Sequence, residues 1–171
     1  MAAIEQQNII SPGVGERARI GGMEATFKVA AEQTGGAFSM VEFVVEPRAL
    51  VPPHVHENKN EVSYVTEGEL GFMLGDEDIS APAGTTVMRP ARIPHALWNA
   101  SHAPARMVEV YSPGGFERYF LELARAFAGD EPPRMSELEE LGRRFDVTLA
   151  PEHMARILET YRLDPLPIRE G

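Results

Sequence analysis

The sequence predicts an all-β sandwich or barrel followed by a helical layer. Two observations predict the sheets. Before Pro113, short runs of β-branched and aromatic residues alternate with Gly and Pro clusters. Within those runs, apolar residues recur at every second position. A third observation marks the change: beyond Pro113 the apolar spacing becomes three and four, the period of an amphipathic helix. The length of 171 residues fits one domain, large enough to bury a core without covalent staples. The division expected is an N-terminal segment at 1–20, a barrel at 21–112 and a helical extension at 113–171.

Taken in order, Phe38 to Glu46 is the clearest strand. Val41, Phe43 and Val45 share one face, and Glu42 and Glu46 the other. Glu61 to Thr66 and Glu69 to Leu74 form the next two, with Glu67-Gly68 between them. Gly75 to Asp78 signals a tight turn before a short strand at Ile79 and Ser80. Pro82 and Gly84 break the chain again. Thr85 to Arg89, Ala96 to Asn99 and Arg106 to Tyr111 complete the strands. In the extension, Phe116, Phe120, Leu123 and Phe127 stripe a helix over Phe116 to Ala128. Ser136 with Glu139 reads as a capping box opening a second helix to Phe145. Pro151 suits the first turn of a third, ending at Tyr161. The stretch DPLPIREG reads as a loose end. The extension reads as an apolar layer over the barrel or at a subunit contact, in preference to a mobile lid.

Composition excludes several functions. The chain has no cysteine, so disulfides, zinc fingers, iron–sulfur clusters and thiolate nucleophiles are out. With 16 basic and 26 acidic residues the net charge is -10, which repels nucleic acid and anionic membranes. The N-terminus has no basic, apolar leader, and no stretch is long and apolar enough to span a bilayer. A cytoplasmic location, with neither nucleic acid nor membrane as partner, is expected.

Chemistry concentrates in two segments, PPHVHENKNEVSYVTEG and GTTVMRPARIPHALWN. His54 and His56 are two residues apart, so a strand points both the same way. Glu61 opens the next strand, and His95 follows a proline-flanked turn. Three imidazoles and one carboxylate suit a divalent transition metal. A site of this kind keeps positions open for water or substrate, whereas structural sites are more often closed and sulfur-rich. His102, in a loop, and His153, in the last helix, read as surface or capping residues.

These segments resemble the two signature motifs of the cupin family. His54, His56, Glu61 and Gly68 match the first motif, with Arg48 in place of its leading glycine. Gly84, Pro90, His95 and Asn99 match the second, with Arg92 in place of its middle glycine. The 15 residues between Gly68 and Gly84 are typical of small bacterial members. The resemblance implies a double-stranded β-helix, the jelly-roll cupin barrel. It implies one metal per chain (Fe, Mn, Ni, Co, Cu or Zn) held by His54, His56, Glu61 and His95, with Asn99 fixing a turn. The tail, SPGGFERYFLELARAF and RRFDVTLAPE, is similar to the extension of small quercetin-dioxygenase-like cupins.

The function expected is a metal-dependent dioxygenase acting on a small phenolic or enolic substrate. Glu61 is expected to be both ligand and catalytic base. The alternatives are a non-oxidative isomerase, cyclase or decarboxylase, or a small-ligand-binding protein without turnover. Phe43, Phe72, Met73, Met88, Trp98 and Met107 are candidates for an apolar interior. Pairing of sheet edges points to a homodimer.

Overall fold

The computed structural model describes residues 9–169. Eleven strands are named: β1 (Glu16–Ile20), β2 (Met23–Val29), β3 (Ser39–Val45), β4 (Leu50–Val55), β5 (Asn60–Glu67), β6 (Glu69–Leu74), β7 (Glu77–Pro82), β8 (Thr86–Arg89), β9 (His95–Trp98), β10 (Ala105–Ser112) and β11 (Thr148–Leu149). The helices are α1 (Glu117–Phe127), α2 (Met135–Arg144) and α3 (Met154–Tyr161). No helix among the described residues is long and apolar enough to cross a membrane.

Two antiparallel sheets face each other, one ordered β1-β2-β3-β10-β5-β8 and the other β11-β4-β9-β6-β7. From β3 to β6, and again from β7 to β10, successive strands go to opposite sheets, with β6 and β7 forming a hairpin within one of them, the arrangement of a jelly roll. The period-two pattern explains the packing. Val41, Phe43 and Val45 on β3, and Ala105, Met107 and Tyr111 on β10, point inward and are buried. They meet Leu70 and Phe72 on β6 and Leu97 on β9 in one core. Phe120 of α1 closes it, its ring 5.3 Å from that of Phe43. A second, smaller cluster lies on the far side of the five-stranded sheet, where α3 covers Leu50, Met73, Ala96 and Trp98 with Ile157. Sandwiched in this way, β9 is buried along its whole length.

Two turns rest on special residues. Gly68 joins β5 to β6 at φ 74°, with its Cα against Ala105, where a Cβ would come within 3.1 Å of the alanine methyl. Asn99 stitches three segments. Its amide nitrogen donates to the carbonyls of Val45 (2.9 Å) and Ala103 (2.8 Å), and its oxygen accepts from the Ser101 N–H at 2.9 Å.

Several expectations need correction. Met88 points outward at 55% exposure, because β8 turns Val87 and Arg89 inward instead. The second helix starts one residue before Ser136, and its capping acceptor is Glu137, whose carboxylate takes the Arg134 N–H at 3.0 Å. The third helical segment begins as a 3₁₀ turn at Pro151–His153 and becomes α-helical at Met154. The end of the chain is tied down as far as Arg169, which forms a bridge with Arg134, donates to the Pro132 carbonyl at 2.7 Å and pairs with Glu131. The last two residues lie outside the described part.

Candidate metal centre

Both sheets contribute to one buried cluster. His54 on β4 and His95 on β9 are directly opposite across the strand pair, which places their side chains on one face as neighbours. His56 follows just beyond β4 and points the same way, two residues on from His54. Glu61 comes from the other sheet, near the start of β5. One ligand atom from each of the four lies within 4.8 Å of the others, and all four side chains are buried. His102 is exposed and His153 half-buried, both away from the cluster.

The hydrogen bonds around the rings decide what the cluster can hold. Each Nδ1 sits by a backbone carbonyl: His54 by Pro52 (2.8 Å), His56 by Asp146 (2.7 Å) and His95 by Ile93 (2.9 Å). A carbonyl only accepts, so each Nδ1 carries a proton, and in the Nδ1–H tautomer each ring turns an Nε2 lone pair inward. Those lone pairs face a carboxylate: His56 Nε2 is 3.0 Å from Glu61 Oε1, and His95 Nε2 is 3.2 Å from Glu61 Oε2. Nε2 of both rings and Oε2 of Glu61 are buried without a hydrogen-bond partner. Acceptors converging on acceptors in a dry interior are costly unless a cation lies among them. Three nitrogens and one carboxylate fit a divalent transition metal, and the group could bind one.

Behind Glu61 lies a layer the sequence did not reveal. Arg89, fully buried, has Nη1 2.9 Å from Glu61 Oε2, an ion pair whose N–H is poorly aligned on that oxygen. Its Nη2 donates to Ser63 Oγ at 2.7 Å and to Glu109. Burial opposes ionisation of Glu61, but Arg89 and the contacts of His56 and His95 outweigh it and hold the carboxyl well below its usual range. Glu109 shares the same guanidinium and fares differently. Burial, reinforced by the charge of Glu61, pushes it up to about 7 despite Arg89. Burial and the two neighbouring imidazoles push His54 well below the ordinary histidine range, which keeps its ring neutral and able to ligate. The signal for Arg89 and Glu109 was present in the period of two. Arg89 falls in phase with Val87, and Glu109 with Met107 and Tyr111.

A cavity of about 120 Å³ opens beside the cluster. His54, Glu61, Arg89 and Glu109 form its polar end. Its walls are apolar: Phe43 and Met107 from the barrel, and Phe116, Tyr119, Phe120 and Leu123 from the extension. Of the residues expected in an apolar interior, Phe43 and Met107 reach this cavity, Phe72 is core, and Met73 and Trp98 lie in the second cluster under α3.

Comparison with known proteins agrees with this architecture. Residues 41–111, which include all four candidate ligands, match the family model of the cupin domain. The fold is similar to that of KdgF from Halomonas sp. (TM-score 0.56, 15% identity, 64% of this chain and 96% of that one covered). It is similar to a predicted oxalate decarboxylase from Thermotoga maritima (TM-score 0.58, 18% identity, 61% and 98% covered). It is also similar to the polyketide cyclase RemF from Streptomyces resistomycificus (TM-score 0.53, 23% identity, 61% and 78% covered). At these identities the likeness is one of fold: a jelly-roll cupin barrel. No curated protein sequence matches the chain.

Proposed function

We propose that this chain is a metal-dependent dioxygenase acting on a small, mostly apolar substrate that carries an enolic or phenolic oxygen. The observation that carries the reading is the pairing of one polar end with apolar walls. His54, His56, Glu61 and His95 converge beside a cavity otherwise lined by aromatic and aliphatic side chains. Held by those four residues, a divalent ion supplies a Lewis acid and, when redox-active, a path for electrons.

The remaining roles belong to the chain. Phe43, Tyr119 and Phe120 take the flat apolar body of the substrate and exclude water. That orients its hydroxyl toward Glu61, the carboxylate that this reading takes as acceptor of the hydroxyl proton. Arg89 holds Glu61 in place from behind. In a dioxygenation both oxygen atoms enter the organic product, so the substrate supplies the electrons and no external reductant is needed.

A second reading, a non-oxidative cyclase, isomerase or decarboxylase, has its own support. The buried Arg89–Glu109 pair places a second carboxyl in the cavity wall, a resource for proton transfer without oxygen. RemF, of similar fold, is a polyketide cyclase. Oxygen uptake with a panel of phenols and enols decides between them. Uptake that depends on substrate supports the dioxygenase. Product formed under argon supports the second reading, and binding without any product leaves a ligand carrier. In all three cases the His54→Ala/His56→Ala double variant should lose stoichiometric metal by elemental analysis, and retention would sink the site.

The same reading takes the chain as a homodimer. In support, Met40, Val110, Val62 and Met88 form an apolar row across the outer face of the six-stranded sheet. Light scattering on the purified chain tests it.

A further inference from the structure

The barrel alone does not complete the cluster. His54 and His95 direct Nδ1 to carbonyls two residues back in the chain, Pro52 and Ile93. His56 has no such local partner. Its Nδ1 lies 2.7 Å from the carbonyl of Asp146, in the extension, 90 positions away. Asp146 is itself clamped onto the loop that bears His56. Its carboxylate accepts the N–H of Glu57 at 3.2 Å and of Asn58 at 2.8 Å. Its φ of 63° lies in the left-handed region, which aspartate tolerates better than most side chains. On either side of it the extension is anchored. Val147 N–H bonds the Gly142 carbonyl at 2.9 Å, β11 pairs Leu149 with His54, and the Ala150 N–H bonds the Pro53 carbonyl at 2.8 Å. Phe116, just before α1, packs against the His56 ring edge-on at 4.9 Å.

We propose that the helical extension is part of the metal centre, with Asp146 as a positioning residue that fixes His56 in its Nδ1–H tautomer so that Nε2 presents its lone pair to the ion. Outer partners of this kind set ring orientation and ligand basicity. The assignment also accounts for the chain returning 90 residues later to the same loop. It rests on the metal reading above for its effect on affinity, while the tautomer can be read without metal.

The test uses the full-length chain and cobalt(II) alone. Asp146→Ala removes the clamp. Asp146→Asn keeps an oxygen acceptor and a residue at ease in left-handed backbone. Cobalt titration against a chelator, followed by the visible bands of the ion, should show Asp146→Ala weakened about 10–100-fold with altered bands. Asp146→Asn should lie within a few-fold of the parent. Imidazole nitrogen–proton NMR correlations of metal-free protein should show one Nδ1–H tautomer for His56 in the parent, a mixture in Asp146→Ala, and recovery in Asp146→Asn. Far-UV circular dichroism verifies folding. If Asp146→Ala fails to fold, Asp146→Gly, which also lacks the carboxylate but accepts the backbone angle, replaces it. Parent-like affinity, bands and tautomer in the variant without the carboxylate overturn the proposal. The metal reading survives that result if His56→Ala in the same series loses cobalt. If the parent and His56→Ala take up cobalt alike, the metal reading falls and the proposal falls with it.

Discussion

Glu61 stands between three imidazoles on one side and Arg89 on the other, and the two sides ask different things of it. The imidazole side needs an anion as ligand, while the guanidinium keeps it ionised. Glu61→Gln keeps the shape and an oxygen donor but removes the charge and the basicity. Turnover is expected to fall by at least 10²-fold, the usual contribution of a positioned base, with a much smaller loss of bound metal. Equal losses, read by steady-state rates alongside elemental analysis, would reduce Glu61 to a ligand. A second residue-scale expectation concerns Arg92, which stands where the resemblance leads one to expect glycine and keeps a left-handed φ of 69°. Left-handed backbone costs a non-glycine residue about 1–2 kcal/mol, and glycine returns about 0.4–1 kcal/mol of that through the unfolded chain. Arg92 gains only an exposed pair with Glu57 at 3.3 Å in exchange. Arg92→Gly should therefore raise the urea midpoint, by on the order of 0.5–1 kcal/mol in stability. A lower midpoint would mean that the arginine side chain holds its loop.

Among the elements, α3 is held to the sheet by packing and by one ionic clasp. Ile157 and Tyr161 cover Met73 and Trp98. Arg156 grips both oxygens of Asp78 on β7, and the Tyr161 hydroxyl donates to the same carboxylate at 2.9 Å. The hydrogen bond from Arg156 is the main cause that lowers the Asp78 carboxyl from its usual value, against a smaller opposing effect of burial. A carboxyl lowered in the fold binds fewer protons there than in the unfolded chain. Its contribution is present above the ordinary value of about 3.9 and lost as pH falls through the folded value. Asp78→Asn should thus cost up to about 1 kcal/mol near neutrality, less in high salt because Arg156 is partly exposed. Thermal scans of parent and variant should converge as pH falls below about 3.9, and a gap that widens on acidification would refute the clasp. The elements also show what a sequence discloses. Alternation marked β3 because Val41, Phe43 and Val45 recur on the face opposite Glu42. The histidines stood out because imidazoles two residues apart on a strand have few other uses. Arg89 and Glu109 escaped because a buried charge is rare, so an in-phase charged residue reads as a surface one. Strand β11 is two residues long and exists only by pairing with β4. The carbonyl of Asp146 has no signature at all, since every residue has one.

At the scale of the whole molecule, the cluster joins the two sheets. His54 and His95 come from one sheet, Glu61 from the other, and Asp146 brings in the extension. An ion bound there favours the folded chain by mass action, about 2.7 kcal/mol at a free concentration 100 times the dissociation constant. For a chain of this length each kcal/mol is worth about 2–4 °C, so saturating cobalt or nickel should raise the melting midpoint by about 5–11 °C. Chelator should reverse the shift, and the His54→Ala/His56→Ala variant should show none. A parent whose midpoint ignores metal would contradict the cluster as a binding site.

Trp98 is the chain's only tryptophan, and it sits on β9, the same short strand as His95, with the ring of Tyr161 4.5 Å away. The protein thus carries a built-in fluorophore roughly 10 Å along the strand from the backbone of His95, on the opposite face of the sheet from the candidate ligands. A paramagnetic ion at that range dims indole emission, whereas zinc, with its filled shell, leaves it bright. Emission at a single wavelength would follow loading in real time, and departure of α3 would announce itself as a red shift when water reaches the indole.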